Sequence, residues 1–201
     1  MFTIYKFKGR FMRASKAHME KIRSHILESS EQGFREEGYS GLGINGLTKR
    51  AGMTSGAFYG HFSSKSQAFH EVVEKGMNDY MNTLIQLEEQ YQQEWPQHFL
   101  DFYLSLEHTD DLGHSCVVPA LSADVMRSDE DTKKLFSKQL EQIVNQVSTG
   151  LVGRDKAGAW ALISLLAGSV MIARCSSSQK QSKEILESAR TLANSIVSKE
   201  K

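Results

Sequence analysis

Apolar residues recur at helical spacing along most of this chain. Ile22, Ile26, Ser30 and Phe34 fall at intervals of four with Leu27 beside them, and Gly38 stands where a glycine closes a helix. The pattern therefore predicts a first amphipathic helix from Lys16 to about Gly38. A short apolar piece from Ile44 to Ala51 is interrupted by Gly52 and Met53, after which Thr54 is a good N-cap for a second short helix reaching about His61. Ser64 and Gln67 then spell S-x-x-Q, a capping box that opens a long helix through Phe69, Val72, Val73, Met77, Tyr80, Met81 and Leu84.

Helical periods continue in Trp95 to Leu106, about Val117 to Met126, and Ser128 to Val152, where Ser128 is the expected cap with Asp131 three residues on. Two final segments, Asp155 to Arg174 and about Lys183 to Val197, flank the polar run SSSQKQS and read as a helical hairpin. Only two prolines occur in the 201 residues, which leaves long helices unbroken. The fold class is therefore all-α with about nine helices. A boundary inside the helix that starts near Lys65 divides an N-terminal unit, residues 1–64, from a larger one, residues 65–201. The stretch Ala157 to Ala173 holds 17 uncharged residues, at the lower limit for a membrane span, and is read as a buried interface helix instead.

Charge separates the same two units. The chain is formally neutral, yet residues 1–65 hold 11 Lys/Arg against 5 Asp/Glu while the remainder holds 13 against 19. A basic head on an acidic body implies a polyanion partner for the head alone. The two cysteines, Cys116 and Cys175, form no C-x-x-C pair and no disulfide framework, so a reducing, cytoplasmic setting is expected. The basic N-terminus lacks the apolar run and cleavage site of a secretory signal. No metal or cofactor is expected.

Gly41, Gly43 and Gly46 spell G-x-G-x-x-G, but a dinucleotide site needs a preceding strand and an acidic residue about 20 positions later. Here a charged helix precedes the glycines and no carboxylate follows until Glu71. Ile44 to His61 has instead the layout of a helix-turn-helix, two short helices across a glycine turn. Leu47, Ala51, Met53 and Phe58 are its expected small core. Thr54, Ser55, Gly56, Ala57 and Tyr59 point outward, small or hydroxyl-bearing but for the tyrosine, as a helix entering a groove requires.

The run GLGINGLTKRAGMTSGAFYGHFSSKSQAF closely resembles the DNA-binding signature of the tetracycline-repressor (TetR) family of bacterial regulators. The resemblance covers about 50 residues: an apolar helix, an Ala-Gly-Met-Thr turn, a G-x-F-Y-x-H-F recognition helix and a Ser-Lys start to the next helix. It implies that Tyr59, His61 and Lys65 hold phosphates, while Asn45, Thr54, Ser55 and Ala57 face base edges. Chemistry agrees, since hydroxyl, imidazole and ammonium groups donate to phosphate and asparagine pairs with adenine. Gly60 departs from the larger residue of many members, so no side-chain contact is expected there.

Family members commonly begin a few residues before the first helix, which makes Met12 an alternative start. The residues before it are open to three readings: a tail or start-site artefact, a basic arm of Lys6, Lys8, Arg10, Arg13 and Lys16 beside DNA, or packing through Phe2, Ile4, Tyr5 and Phe7.

The larger unit matches the family only in length and helical layout. Phe99, Phe102, Tyr103, Met126 and Trp160 are candidate effector contacts, although such residues at helical spacing more often form core. The segment His114-Ser115-Cys116 resembles a loop-to-helix corner where several TetR-like regulators carry a cysteine; a buried inert thiol is the leading expectation for Cys116 and a redox or electrophile sensor the alternative. Ala157, Ala161 and Gly168, interleaved with Leu165 and Ile172, form a small-residue stripe. In the family this hairpin pairs with its copy, giving the two-fold needed for a palindromic operator. The expectation is a homodimeric, ligand-responsive repressor that binds double-stranded operator DNA and an unidentified small-molecule effector. It is not expected to be an enzyme, since the chain shows no nucleophile elbow, paired catalytic motif or metal cluster.

Overall fold

The structure, a computed structural model, describes residues 16–198. The expectations placed on Phe2, Ile4, Tyr5, Lys6, Phe7, Lys8, Arg10, Met12 and Arg13 lie outside the described residues. The described chain is helical, with ten α-helices and no strand. They are α1 (Lys16–Gly41), α2 (Ile44–Arg50), α3 (Ser55–Tyr59), α4 (Lys65–Tyr91), α5 (Trp95–Tyr103), α6 (Leu106–Asp110), α7 (Val117–Val125), α8 (Glu130–Thr149), α9 (Lys156–Arg174) and α10 (Gln179–Ser198). Each of the nine expected helices is present. The additional one, α6, is five residues long and splits off where Ser105 accepts a hydrogen bond from the His108 N–H, ending the preceding helix earlier than its apolar period suggests.

Local chemistry accounts for most of the boundaries. Gly38 takes φ 74°, which breaks the helical path of α1 where sequence placed its end. Ser64 caps α4 by accepting from the Gln67 N–H at 3.0 Å, and the Gln67 side-chain oxygen Oε1 in turn accepts from the Ser63 N–H at 2.7 Å, one residue earlier than a standard capping box. The cap of α8 is a correction. Asp129, not Ser128, accepts the Thr132 N–H at 2.8 Å, while the Ser128 hydroxyl donates to the Val125 carbonyl.

Asp129 also ties α8 to the start of α4. The Ser66 hydroxyl donates to its carboxylate at 2.6 Å, and this bond together with the Thr132 N–H holds its pKa at about 2, below the ordinary 3.8. A depressed carboxylate stabilises the fold above its unfolded pKa and loses that contribution as pH falls through the folded one. Asp129→Ala should therefore cost about 1 kcal/mol at neutral pH, the usual worth of a cap. The deficit should shrink as pH falls from 3.8 toward about 2, which thermal denaturation across that range checks.

Packing follows from the apolar faces. α4 runs through the middle, against α1, α5, α7 and α8, and α9 pairs with α10 as the expected hairpin. Val72, Leu84, Leu100, Leu121, Val144, Leu166 and Val170 are fully enclosed in one continuous core. By length and composition α9 could cross a membrane. Its Ala159, Leu162, Ile163, Leu166, Ala167, Val170 and Ala173 are buried, however, where it packs on α7, α8 and α10. On its outward side Ala157 and Ala161 are exposed, Ile172 is 61% exposed, and Leu192 of α10 is 54% exposed.

Candidate nucleic-acid interface

α2 and α3 meet across a turn whose geometry needs glycine at one position, Gly52 at φ 63°. The turn is closed by the Met53 N–H donating to the Thr48 carbonyl at 2.8 Å and pinned to α1 by the His25 ring nitrogen on the Ala51 carbonyl at 3.2 Å. Thr54 caps α3, its hydroxyl oxygen accepting from the Ala57 N–H. Leu47 and Phe58 are fully buried, Ala51 nearly so, and Met53 packs partly buried against them, which makes the small core read from sequence. With its apolar side used in this way, the other side of α3 is left to solvent.

Asn45, Thr54 and Gly56 are exposed and Ser55, Ala57 and His61 half-buried; Tyr59 is 57% exposed, its ring set edge-on to Phe58. The Ser55 hydroxyl donates to the Asn45 amide oxygen at 3.2 Å, so the two candidate base-reading side chains orient one another across α2 and α3. Lys65 opens α4 with its ammonium 4.1 Å above the Tyr39 ring. Burial lowers its pKa and the Asp124 carboxylate on α7 opposes that shift. Arg50, by contrast, is committed to Glu36 and Glu37 of α1. Arg23 of α1 grips Glu71 of α4 at 2.5 Å, clamping the three-helix unit to the long helix that leaves it.

Farther along, a cavity of about 250 Å³ opens among α1, α4, α5, α6 and the start of α7. Phe99, Phe102, Tyr103 and Cys116 of the sequence-predicted effector residues line it. Met126 and Trp160 do not: Met126 is 66% exposed after the end of α7, and Trp160 is on the outer side of α9, 39% exposed. Sequence reading missed the polar wall, Glu31 and Arg35 from α1 and Lys75 and Asp79 from α4. Their i,i+4 spacings are the one local signal; which cavity they reach depends on how α1 and α4 cross.

Two ring nitrogens of His108 fix its state. Nδ1 donates to the Tyr103 carbonyl at 2.8 Å and Nε2 accepts the Cys116 N–H at 3.2 Å, so the ring is a neutral Nδ1–H tautomer, and burial lowers its pKa in agreement. Burial pushes the Cys116 thiol up, although the Tyr103 hydroxyl beside it and the more distant Arg35 and Arg174 guanidiniums pull the other way.

Comparison with known proteins converges on this arrangement. Residues 26–72, which span the end of α1 through the first part of α4, match the model of the bacterial regulatory proteins of the tetR family. The N-terminal helix-turn-helix region is thus of the tetR-family type. Among its relatives, the HTH-type transcriptional repressor DhaR of a Mycobacterium species is 28% identical over 147 residues, covering 68% of this chain and 72% of DhaR. The regulator AcrR of Shigella flexneri is 33% identical over 84 residues, 42% of this chain and 37% of AcrR. In fold, the chain superposes on the reduced form of E. coli NemR with a TM-score of 0.71 at 23% identity, covering 88% of this chain and 97% of that one. The likeness to the tetR family thus lies in the helix-turn-helix region, and the likeness of the whole chain to known structures is one of fold.

Proposed function

We propose that the protein is a TetR-family regulator, a cytoplasmic, ligand-responsive repressor that binds a palindromic operator as a homodimer, with its domain boundary at the start of α4. The observation that carries the reading is the exposed face of α3. A five-residue helix held by one buried aromatic, Phe58, offers solvent only small or hydrogen-bonding side chains, which allows backbone approach to a groove floor. On this reading Tyr59, His61 and Lys65 hold phosphates while Asn45, Thr54, Ser55 and Ala57 meet base edges.

The proposed two-fold is made by α9 and α10. The exposed residues Ala157, Ala161 and Ile172, the partly buried Leu165 and Gly168, and the exposed Leu192 make an apolar face that a second copy would cover. Repressor-named relatives support the sign of regulation. A gel shift of the purified protein with duplexes from upstream of its own and neighbouring genes tests the reading; retarded bands that a duplex of scrambled sequence fails to compete away are expected.

The cavity is the proposed effector site, with Phe99, Phe102, Tyr103 and Cys116 in its wall. A second reading, redox or electrophile sensing, is favoured by one observation: the Tyr103 hydroxyl beside the Cys116 thiol and the charges of Arg35 and Arg174 act to lower its pKa. Burial outweighs them and keeps the thiol protonated at neutral pH. Mild peroxide should therefore release DNA no better from the wild type than from Cys116→Ser, as read by fluorescence anisotropy of a labelled operator.

A further inference from the structure

The cavity holds unspent hydrogen-bonding capacity of one kind. Tyr80 and Tyr103 are 6% and 1% exposed and both line it; the Tyr80 hydroxyl has no hydrogen-bond partner among the described residues, and the Tyr103 hydroxyl meets only the Cys116 thiol, a weak partner. Arg35, whose side chain is 8% exposed, donates from one terminal nitrogen to the Gly113 carbonyl and pairs the other with Glu31 at 2.8 Å, leaving its Nε–H without a partner. Each of these three groups can donate a hydrogen bond, and buried polar groups left so are rare unless something else completes them.

The nearby charges have partners. Arg35 pairs with the buried Glu31 carboxylate, while Arg174, half-buried behind the wall, donates to the Thr109 and His108 carbonyls and has the Asp110 carboxylate near it. Lys75 and Asp79 pair with each other at 2.6 Å toward solvent, Lys75 also reaching the second Glu31 oxygen at 3.1 Å. What the enclosed part lacks is therefore an acceptor for the Arg35 Nε–H and the Tyr80 hydroxyl. Four aromatic rings, those of Phe99, Phe102 and the two tyrosines, line the wall together with polar groups that include Thr83 and His114. The volume, about 250 Å³, falls below the roughly 300–1,000 Å³ of drug-sized sites and suits a single ring.

We infer that the cavity takes a small aromatic monocarboxylate, its ring against Phe99 and Tyr103 and its carboxylate received by Arg35 and the tyrosine hydroxyls. This inference rests on the ligand-responsive reading and gives it a coupling device. Arg35 is not a residue of the larger unit: it sits on α1, three residues before the helical path breaks at Gly38. A carboxylate at Arg35 competes with Glu31 for the same guanidinium, so occupancy is felt on the helix that carries α2 and α3.

Titration calorimetry of the full chain with benzoate, its neutral isostere benzamide and the cation benzylamine tests the class. Benzoate should bind at least about tenfold more tightly than either, since a charge-assisted bond to a buried guanidinium is roughly twice as strong as a neutral one. Arg35→Gln should abolish the preference for benzoate over benzamide. Because that change disturbs Glu31, Tyr80→Phe serves as the second variant: it removes a hydroxyl that has no partner among the described residues, keeps the ring, and should weaken benzoate by about three- to tenfold without loss of thermal stability. Equal or tighter binding of benzamide or benzylamine, no heat from any probe at millimolar concentration, or unaltered benzoate affinity in both variants would overturn the inference. Operator binding without any probe is measured in parallel. Its absence would sink the regulator reading alone, whereas the calorimetry judges the ligand class.

Discussion

Placing glutamate at both Ala161 and Gly168 should turn the protein into a monomer and cut operator affinity by at least about a hundredfold, the loss expected when two linked half-site contacts become one. The protomer itself has no reason to object. Nothing lies within 4 Å of the position a side chain would take at Gly168, Ala161 is exposed, and glutamate favours a helix interior more than glycine does. What glutamate opposes is a second copy, because a carboxylate would be buried opposite its own mate in an apolar face. Light scattering at micromolar concentration gives the mass, and circular dichroism shows whether helicity is retained. A dimer that survives both substitutions would place the two-fold elsewhere.

Phe58→Ala should have the next largest effect, removing about 3–5 kcal/mol from the helix-turn-helix unit, the usual cost of truncating a buried phenylalanine. A helix of five residues cannot stand alone in water, so α3 depends on the contacts of this one ring. Phe58 is fully buried, edge-on to Tyr59 at 5.5 Å between centroids and beside Phe62 at 5.4 Å. Arg23 in turn lies over Phe62, so the loss spreads to the clamp between α1 and α4. Operator binding should disappear at physiological temperature while light scattering still reports a dimer, since α9 and α10 are remote from the change. Thermal denaturation followed by near-ultraviolet circular dichroism measures the destabilisation.

The parts legible in the sequence are those that local chemistry decides. Gly38, Gly52, Thr54 and Ser64 each act on residues within four positions, and each does in the structure what its type implies. Short-range competition explains the misses. Asp129 stands beside Ser128 and makes the better cap because its carboxylate also receives Ser66 from α4, a partner 63 residues away. α10 begins at Gln179, ahead of the expected Lys183, because its first turn is polar and shows no apolar period. The cavity was half legible. Phe99 and Tyr103 declared themselves as aromatics on one helix face, whereas Glu31 and Arg35 are a charged i,i+4 pair on α1 with no apolar signal to mark them. Met126 and Trp160, apolar at helical spacing, went outward instead, one past the end of its helix and the other toward the face assigned to a second copy.

Separating positioning from reading tests the central claim most directly. Operator duplexes selected from a random library, with single-position substitutions, are titrated at two salt concentrations with the wild type, Lys65→Ala and Asn45→Ala. Lys65→Ala should weaken all sequences nearly alike and flatten the log–log salt dependence by about 1 per half-site. Asn45→Ala should lose about 1–3 kcal/mol of discrimination at one position per half-site and leave non-specific binding nearly intact. A change of sequence preference in Lys65→Ala, or uniform weakening in Asn45→Ala, would contradict the interface described for α2, α3 and the start of α4.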